Sequence, residues 1–414
     1  VSEDDRQLLE ETDAGAAETP PPPPAWPLWW VWRDACGAEA DSGTGTATGN
    51  EDGLSVSVSG GMDFAVAWTD IRAVEEGDHR LTLRLHDDTV LLLYKAGRLH
   101  DELVRTVMAH WEKTVRTEAL VEEKRIAEFG AYAADSTCRV EVYETALCVT
   151  FPSGEVARMP FVFAQMTEDN YRFRVTLPGG EALALSRFGR DTDRFRDAVD
   201  SARKAMQTRA LEFVRDLAPG LTPLQARALA ASFLDGHAAP CAAMQTRPKL
   251  WQGVEAALER SGILSAYKTL SAMDKGSRAR VGIKRGLRAG ADEAYVFVMV
   301  PAGGAEQPRI VFEAASDAAT ARATYVFDAA VLAGGTPDID VAMDVLNYGL
   351  YMVNFRREPI YMSDAQLEKP SNRHYRRALA RIPALPLLRK AYVGRVPHGD
   401  GWQAKVEELA EKKQ

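Results

Sequence analysis

No window of this 414-residue sequence approaches the ~18 unbroken apolar residues of a membrane-crossing helix, so no transmembrane segment is expected. Cysteine is scarce. Cys36, Cys138, Cys148 and Cys241 lie far apart with no C-x-x-C pair, which argues against a disulfide framework and a zinc site and for free thiols in a reducing compartment. The seven histidines form no H-x-x-x-H or H-E-x-x-H string. His100 and His110 fall on an expected helix, where they are expected to face solvent. There is no Walker-A loop and no strand-linked G-x-G-x-x-G, so neither phosphate-cradling motif is available. Ser265 and Lys268 match a bare S-x-x-K string without the companion motifs of the enzymes that use it. No catalytic, metal or cofactor-binding residue is therefore assigned. The acidic start (SEDD, EET) lacks the basic-then-apolar order of a signal peptide, and a cytoplasmic location is expected.

What is present is an ordinary globular composition, 46% apolar and 26% charged, with length for about three domains. The net charge of -9 is uneven. Residues 1–264 carry 28 Lys/Arg against 42 Asp/Glu, and residues 265–400 carry 19 against 14. An acidic front and a mildly basic back either attract one another, select different partners, or are solvated surfaces of differing composition.

The most informative feature is a repeat. Residues 80–111 (RLTLRLHDDTVLLLYKAGRLHDELVRTVMAHW) recur without a gap as 172–203 (RFRVTLPGGEALALSRFGRDTDRFRDAVDSAR). Eight of the 32 positions are identical, against roughly two by chance at ordinary residue frequencies. The 92-residue spacing is too long for a solenoid unit and suits a small domain used twice.

Residues 1–25 are acidic, Ala-rich and end in five prolines. They cannot bury enough surface to offset their ordering entropy, and a disordered tail is expected. AWPLWWVWRD follows, with Trp26, Trp29, Trp30 and Trp32 in seven residues. It reads either as a strand whose rings cover a core or as a partner-binding motif. Residues 36–53, rich in Gly, Thr and acids, read as a flexible polar loop. Short alternating runs then mark strands (LSVSVS, FAVAW, RLTLRL, TVLLLY). After Gly97 the period changes, and Leu103, Val107, Trp111 and Val115 share one helical face. From near Cys138 the second copy repeats this order through CRVEVY, ALCVTF, VARMPFVF, YRFRVTL and EALALS to a helix with Phe195, Val199 and Ala202 inward.

An antiparallel sheet closed by one C-terminal amphipathic helix resembles the pleckstrin-homology-like (PH-like) fold. The junctions KAGRLHDEL and SRFGRDTDRF are similar to those of bacterial PH-like repeats, which carry a comparable Gly-Arg-x-x-Asp sequence. Gly97 and Gly189 would let the chain leave the last strand sharply. Asp101 and Asp193 would sit near the helix N-terminus, where a carboxylate is favoured, and Arg98 and Arg190 complete the signature. The expected class is α+β: a PH-like β-barrel over 26–129, a second over 130–215, a helical connector over 216–264 and an α+β domain over 265–414. In the connector, Thr222, Pro223 and Gln225 spell a helix start and Gly236 its end. A phosphoinositide-reading PH domain needs Lys and Arg around the loop after its first strand. The corresponding segments, CGAEADSGTGTATGNEDG and VYETA, have neither, which argues against that ligand.

The segment from about Arg322 to Arg395 resembles a C-terminal region found with such repeats in uncharacterised bacterial proteins, and that resemblance carries no activity. AYVFVMVP, RIVFEAA and ATYVFDA are strands here, and the strands-then-helix order also allows a divergent third PH-like unit. Ser363 and Gln366 form a second capping box. Gly282, Gly286 and Gly290, among Lys284, Arg285 and Arg288, read as a surface hairpin or an anion holder. The main candidates for a polyanion or partner are Arg356, Arg357, Arg373, Arg376, Arg377, Arg381, Arg389 and Lys390, with His374, Tyr375 and Tyr392 interleaved. Guanidinium groups suit phosphates and carboxylates. Nucleic-acid binding is disfavoured by the acidic chain, and a solvated helix face, or one that docks on the acidic repeats, is the preferred reading. The expectation is a non-enzymatic protein- or peptide-binding scaffold without a cofactor. The alternatives are a nucleic-acid-associated protein and an enzyme with a site in the C-terminal domain.

Overall fold

Each repeat folds as seven antiparallel strands followed by a helix. The structure, a computed structural model, describes residues 24–118, 124–151, 155–273, 278–285, 294–304, 306–314 and 322–411. The tail expected over 1–25 lies almost wholly outside them. The chain divides into two compact units, Val1–Glu112 and Lys113–Gln414.

The first unit contains β1 (Ala25–Arg33), β2 (Glu39–Gly49), β3 (Gly53–Val58), β4 (Phe64–Ala67), β5 (Ile71–Gly77), β6 (Arg80–Leu85) and β7 (Val90–Tyr94), in the order 4-3-2-1-7-6-5. The sheet curls into a half-barrel. Helix α1 (His100–Glu118) follows and buries Leu103, Val107 and Trp111. The indole of Trp111 donates to the Ile71 carbonyl at 3.1 Å, so its polar edge is satisfied inside the core.

The segment expected to be a polar loop over 36–53 is mostly the eleven-residue strand β2. Its alternation is of small against β-branched residues. Gly45, Ala47 and Gly49 face inward, while Thr44, Thr46 and Thr48 are half-buried on the other face. The reason is the tryptophans. Trp26 pairs with Ala47 and Trp30 with Gly43 across β1–β2. A Cβ on Gly43 would stand 3.1 Å from the Trp30 ring, and one on Gly45 2.4 Å from the Ser57 carbonyl. The indoles fill the space that β2 leaves empty. Trp26 and Trp30 are core residues, and the half-buried Trp32 shares their side, its ring and that of Trp30 both meeting Phe64 edge-on, whereas Trp29 is exposed on the opposite face.

His100 and His110 do not both face solvent. His100 is buried, and the half-buried His110 ring stacks on Trp68 at 5.0 Å. Their helix lies with this side against the sheet, which the spacing of two polar residues does not reveal.

The second unit begins with a sheet of the same plan: β8 (Arg125–Ala133), β9 (Ser136–Tyr143), β10 (Ala146–Thr150), β11 (Val156–Pro160), β12 (Gln165–Asp169), β13 (Arg172–Thr176) and β14 (Ala182–Ser186), ordered 11-10-9-8-14-13-12. It opens at Arg125, ahead of Cys138 where alternation is first evident, because β8 presents mainly Ala and Gly beside Phe129. Helix α2 (Thr192–Leu217) follows. The repeated elements begin 92 residues apart at each step: Arg80 and Arg172, Val90 and Ala182, Gly97 and Gly189, His100 and Thr192. Gly97 and Gly189 take φ of +59° and +60°, and nothing lies near where their Cβ would be. Backbone conformation, not crowding, therefore selects glycine there.

Helices α3 (Pro223–Ala230), α4 (Cys241–Gln245), α5 (Pro248–Arg260) and α6 (Leu264–Ser271) come next. Both arms of the Thr222–Gln225 capping box form, and the helix stops at Ala230, before Gly236. The third sheet contains β15 (Ala238–Pro240), β16 (Arg280–Arg285), β17 (Ala294–Gly304), β18 (Gln307–Ala314), β19 (Ala323–Asp328) and β20 (Tyr392–Pro397), paired in chain order. Gly282 and Lys284 lie in β16, which pairs antiparallel with β17, and Gly282 is buried rather than at the surface; Gly286, Arg288 and Gly290 lie outside the described residues. Between β19 and β20 come α7 (Ala329–Leu332), α8 (Ile339–Met352), α9 (Glu358–Tyr361), α10 (Asp364–Leu367), α11 (Arg373–Arg381) and α12 (Ala384–Ala391), and α13 (Trp402–Glu411) closes the chain.

This sheet is buried on both faces. Phe297, Met299, Ile310, Phe312 and Phe327 share a core with α8, α12 and the second sheet. Val281, Val296, Val298, Val311 and Val326 share another with α5 and α13. A sheet layered between helices is not a half-barrel closed by one, so it is not a third copy of the repeat plan. Helix α2 joins the two cores. Phe195, Val199, Ala202 and Met206 plug the second sheet, and Val214 packs near α5 in the other cluster.

Candidate functional site

The hairpins β10–β11 and β13–β14 of the second sheet, together with α8 and the start of α12, enclose a cleft of about 190 Å³. Its walls follow from strand alternation: Met159, Val175 and Leu183 point inward, and Phe151 closes one end. Helix α8 contributes Tyr348 and Met352, four residues apart and so on one face.

Three charged side chains line this apolar space: Glu155, Arg158 and Glu181. The Arg158 guanidinium lies 5.5 Å from the centre of the Tyr351 ring, and its Nη1 is 3.7 Å from Met352 Sδ. Burial, reinforced by the Glu181 charge, pushes the Tyr348 hydroxyl well above the usual tyrosine range, with Arg158 opposing. Desolvation also raises the Glu181 carboxyl. Tyr348 therefore stays a neutral donor at physiological pH. An apolar cavity with a few converging polar groups is suited to holding a side chain or small ligand.

Phe163, in the turn after β11, fixes α8 as a wall of this cleft. Its ring contacts His237, Tyr348 and Tyr351, with centroids at 5.7, 5.7 and 5.4 Å. On the far side of α8, Asn347 accepts from the Ala238 amide and donates to the Gly236 carbonyl. Arg280 binds Asp340 and Asp344 at 2.9 and 2.5 Å.

The arginines singled out in the sequence do not form one face. Arg389 donates to the Pro359 and Met362 carbonyls and to Asp364, tying α12 to α9 and α10. Arg376 pairs with Glu368 at 2.6 Å. Arg377 is buried, and Lys390 is exposed. The side chains of Arg373 and Arg381 lie outside the described residues. Arg357 sits over the Tyr325 ring, and Arg356 is exposed near His374, whose imidazole is lowered first by burial and then by that guanidinium. In the repeat signature, Arg98 and Arg190 are exposed. Asp101 and Asp193 occupy the first helical turns, and Asp193 pairs with Arg196.

A polar network inaccessible to sequence reading lies under α13. The buried Glu313 carboxylate accepts from Thr324 Oγ1 at 2.6 Å and faces His398 Nε2 at 3.1 Å. Trp402 Nε1 donates to Thr324 at 2.8 Å, and its ring stacks on His398. Glu313 and His398 are 85 residues apart, so no motif signals the pair. The Thr324 hydroxyl is engaged on both sides, and the network latches α13 to the sheet. Ser265 and Lys268 are both exposed on α6. Among the described residues no group of three His, Cys, Asp or Glu is placed to hold a metal ion, and no helix is long and apolar enough to cross a membrane.

No protein-family model matches the chain, and no curated protein matches it.

Proposed function

We propose that this chain is a non-enzymatic scaffold of two PH-like modules and an α+β domain. In this reading the second module holds an apolar side chain of a protein or peptide partner in the 190 Å³ cleft. The observation that carries it is the cleft itself: an apolar pocket at the tips of two hairpins, with Glu181 and the Tyr348 hydroxyl on its wall to meet backbone or polar groups of the bound segment. The shared strand order of the two curled sheets and the helix after each seventh strand support the PH-like assignment. The β1–β2 loop (34–38) and the β8–β9 turn (134–135) contain no Lys or Arg, which speaks against a phosphoinositide there. Nucleic acid is disfavoured because Arg376 and Arg389 already serve intramolecular partners. The widely spaced thiols suit the cytoplasm.

The test is selection of peptides from a random displayed library with the full chain, followed by affinity measurement on Leu183→Arg and on Leu224→Ala, a change at an exposed site elsewhere. The expected result is a shared bulky apolar residue among selected peptides and at least tenfold weaker binding to Leu183→Arg alone. Peptides that bind both variants as tightly as the unaltered chain would overturn the assignment.

A further inference from the structure

A second site stands at the edge of the third sheet, on residues the cleft does not use. Tyr325 of β19 and Tyr361 of α9 stack with ring centroids 6.2 Å apart and planes 29° from parallel. Arg357 lies over Tyr325 at 5.5 Å, and Arg395 over Tyr361 at 5.3 Å. Arg395 is the direct cross-strand partner of Tyr325 on β20, so the two side chains stand on the same face of the sheet. Two guanidiniums thus flank one stacked pair of rings. Arg356 adds a third at the rim, beside His374 and Tyr375.

These arginines differ from their neighbours. Arg376 and Arg389 are neutralised by Glu368 and Asp364. Among the described residues Arg356, Arg357 and Arg395 have no carboxylate within 4.0 Å. Stacking on a tyrosine orients a guanidinium plane while leaving its in-plane N–H groups unused, which is the geometry that grips oxyanions two oxygens at a time. Tyrosine hydroxyls nearby add neutral donors. Burial raises the phenol of Tyr325, with Arg357 and Arg395 acting to lower it and Tyr361 and Glu358 acting with burial.

We propose that Arg357 and Arg395, with Arg356 at the rim, bind a phosphomonoester dianion. Two forks and a third cation supply more donors than one carboxylate accepts, and a doubly charged group with three terminal oxygens matches them. The footprint is compact. Among the described residues the neighbouring Arg376 and Arg389 are engaged, which interrupts the row of free cations that a nucleic-acid backbone needs. The ester comes either from a free phosphorylated metabolite or from a phosphorylated side chain. Both present the same group.

The experiment is calorimetric titration of the full chain with inorganic phosphate, phenyl phosphate, a short phosphotyrosine peptide, benzoate and a DNA duplex. Chemical-shift mapping of the unaltered chain with phenyl phosphate accompanies it. Expected are saturable binding of phenyl phosphate or the phosphopeptide, benzoate weaker by at least tenfold, and shifts centred on Tyr361 and Arg395. Arg357→Ala/Arg395→Ala should lose at least tenfold in affinity, Arg357→Lys/Arg395→Lys an intermediate amount, and Arg376→Ala less than twofold. Tighter binding of the peptide than of phenyl phosphate identifies a phosphorylated side chain as the source, and the reverse order a metabolite. No saturable binding, benzoate equal to phenyl phosphate, shifts elsewhere, or a DNA duplex binding more tightly than either phosphate probe would each overturn the proposal.

Discussion

Replacing Phe163 by Ala should weaken the second sheet and the C-terminal domain together. Phe163 is only half-buried, but its ring touches three others, His237 in the turn before β15 and Tyr348 and Tyr351 on α8. A fully buried Phe→Ala change costs about 3–5 kcal/mol. Half that burial contributes roughly 2 kcal/mol, and ring contacts add about 0.5–1.5 kcal/mol per well-placed pair beyond area. Allowing for relaxation of α8 onto the vacated space, the expected loss is about 3 kcal/mol. Because Phe129 and Phe173 of the second sheet and Phe195 of α2 share a core with Phe297, Phe312 and Leu346, the loss should be felt on both sides of the contact. Urea unfolding followed by amide exchange reads this directly. Protection should fall in β13 and in α8 by similar factors, while the first unit keeps its own. Tyr348 also loses its backing, so affinity at the cleft should drop in parallel. A loss below about 1 kcal/mol, or exchange that accelerates in α8 while β13 is unchanged, would refute the shared core and separate the two parts as independent domains.

Thr324→Val preserves shape but leaves the Glu313 carboxylate and the Trp402 indole without their shared partner. A cost of about 2–4 kcal/mol is expected by urea unfolding, with a shifted Trp402 indole N–H signal. Gly253→Ala would normally gain about 1 kcal/mol of helix propensity. Here the new Cβ stands 2.2 Å from the Leu217 carbonyl, at the close approach of α5 to α2, so thermal unfolding should instead show destabilisation by about 1–3 kcal/mol. Burial, with Arg280 contributing and Asp344 opposing, holds the His237 imidazole below its usual range. The unfolded chain then binds the proton more readily, so this contribution is complete above about pH 6.5 and is lost as pH falls toward the folded value. The urea midpoint of the second unit should fall between pH 7.5 and 5.5, and His237→Phe should flatten part of that slope, His374 supplying more of it in the same sense.

Several features are legible in the sequence because they rest on local chemistry. The 92-residue repeat predicted elements that begin in step. Gly97 and Gly189, expected to let the chain leave the last strand sharply, both take left-handed backbone, and the Thr222 and Ser363 capping boxes form as written. Strand β2 was not legible, because periodicity is sought in large apolar side chains and its inward residues are Gly and Ala. Only the neighbouring indoles make that emptiness a packing surface. The burial of His100 was hidden for a related reason: a polar residue at a helix start does not show which side meets the sheet. The arginines illustrate the opposite case. Their clustering in sequence is plain, yet turns at Pro383 and the α9–α10 junction send Arg389 inward and leave Arg357 beside Arg395, which sequence reading had not selected.

By itself the amino-acid order determined the matched strands, glycine junction and helix that the two repeats share, the helix caps, and the absence of local catalytic and metal-ligand motifs. Those are set by interactions within a few residues, or by a repeat that copies them. The cleft, the tyrosine–arginine edge and the Glu313–His398 latch were decided by tertiary structure alone. Each joins residues from elements far apart in the chain, and their proximity depends on how the third sheet is layered between α8 and α13.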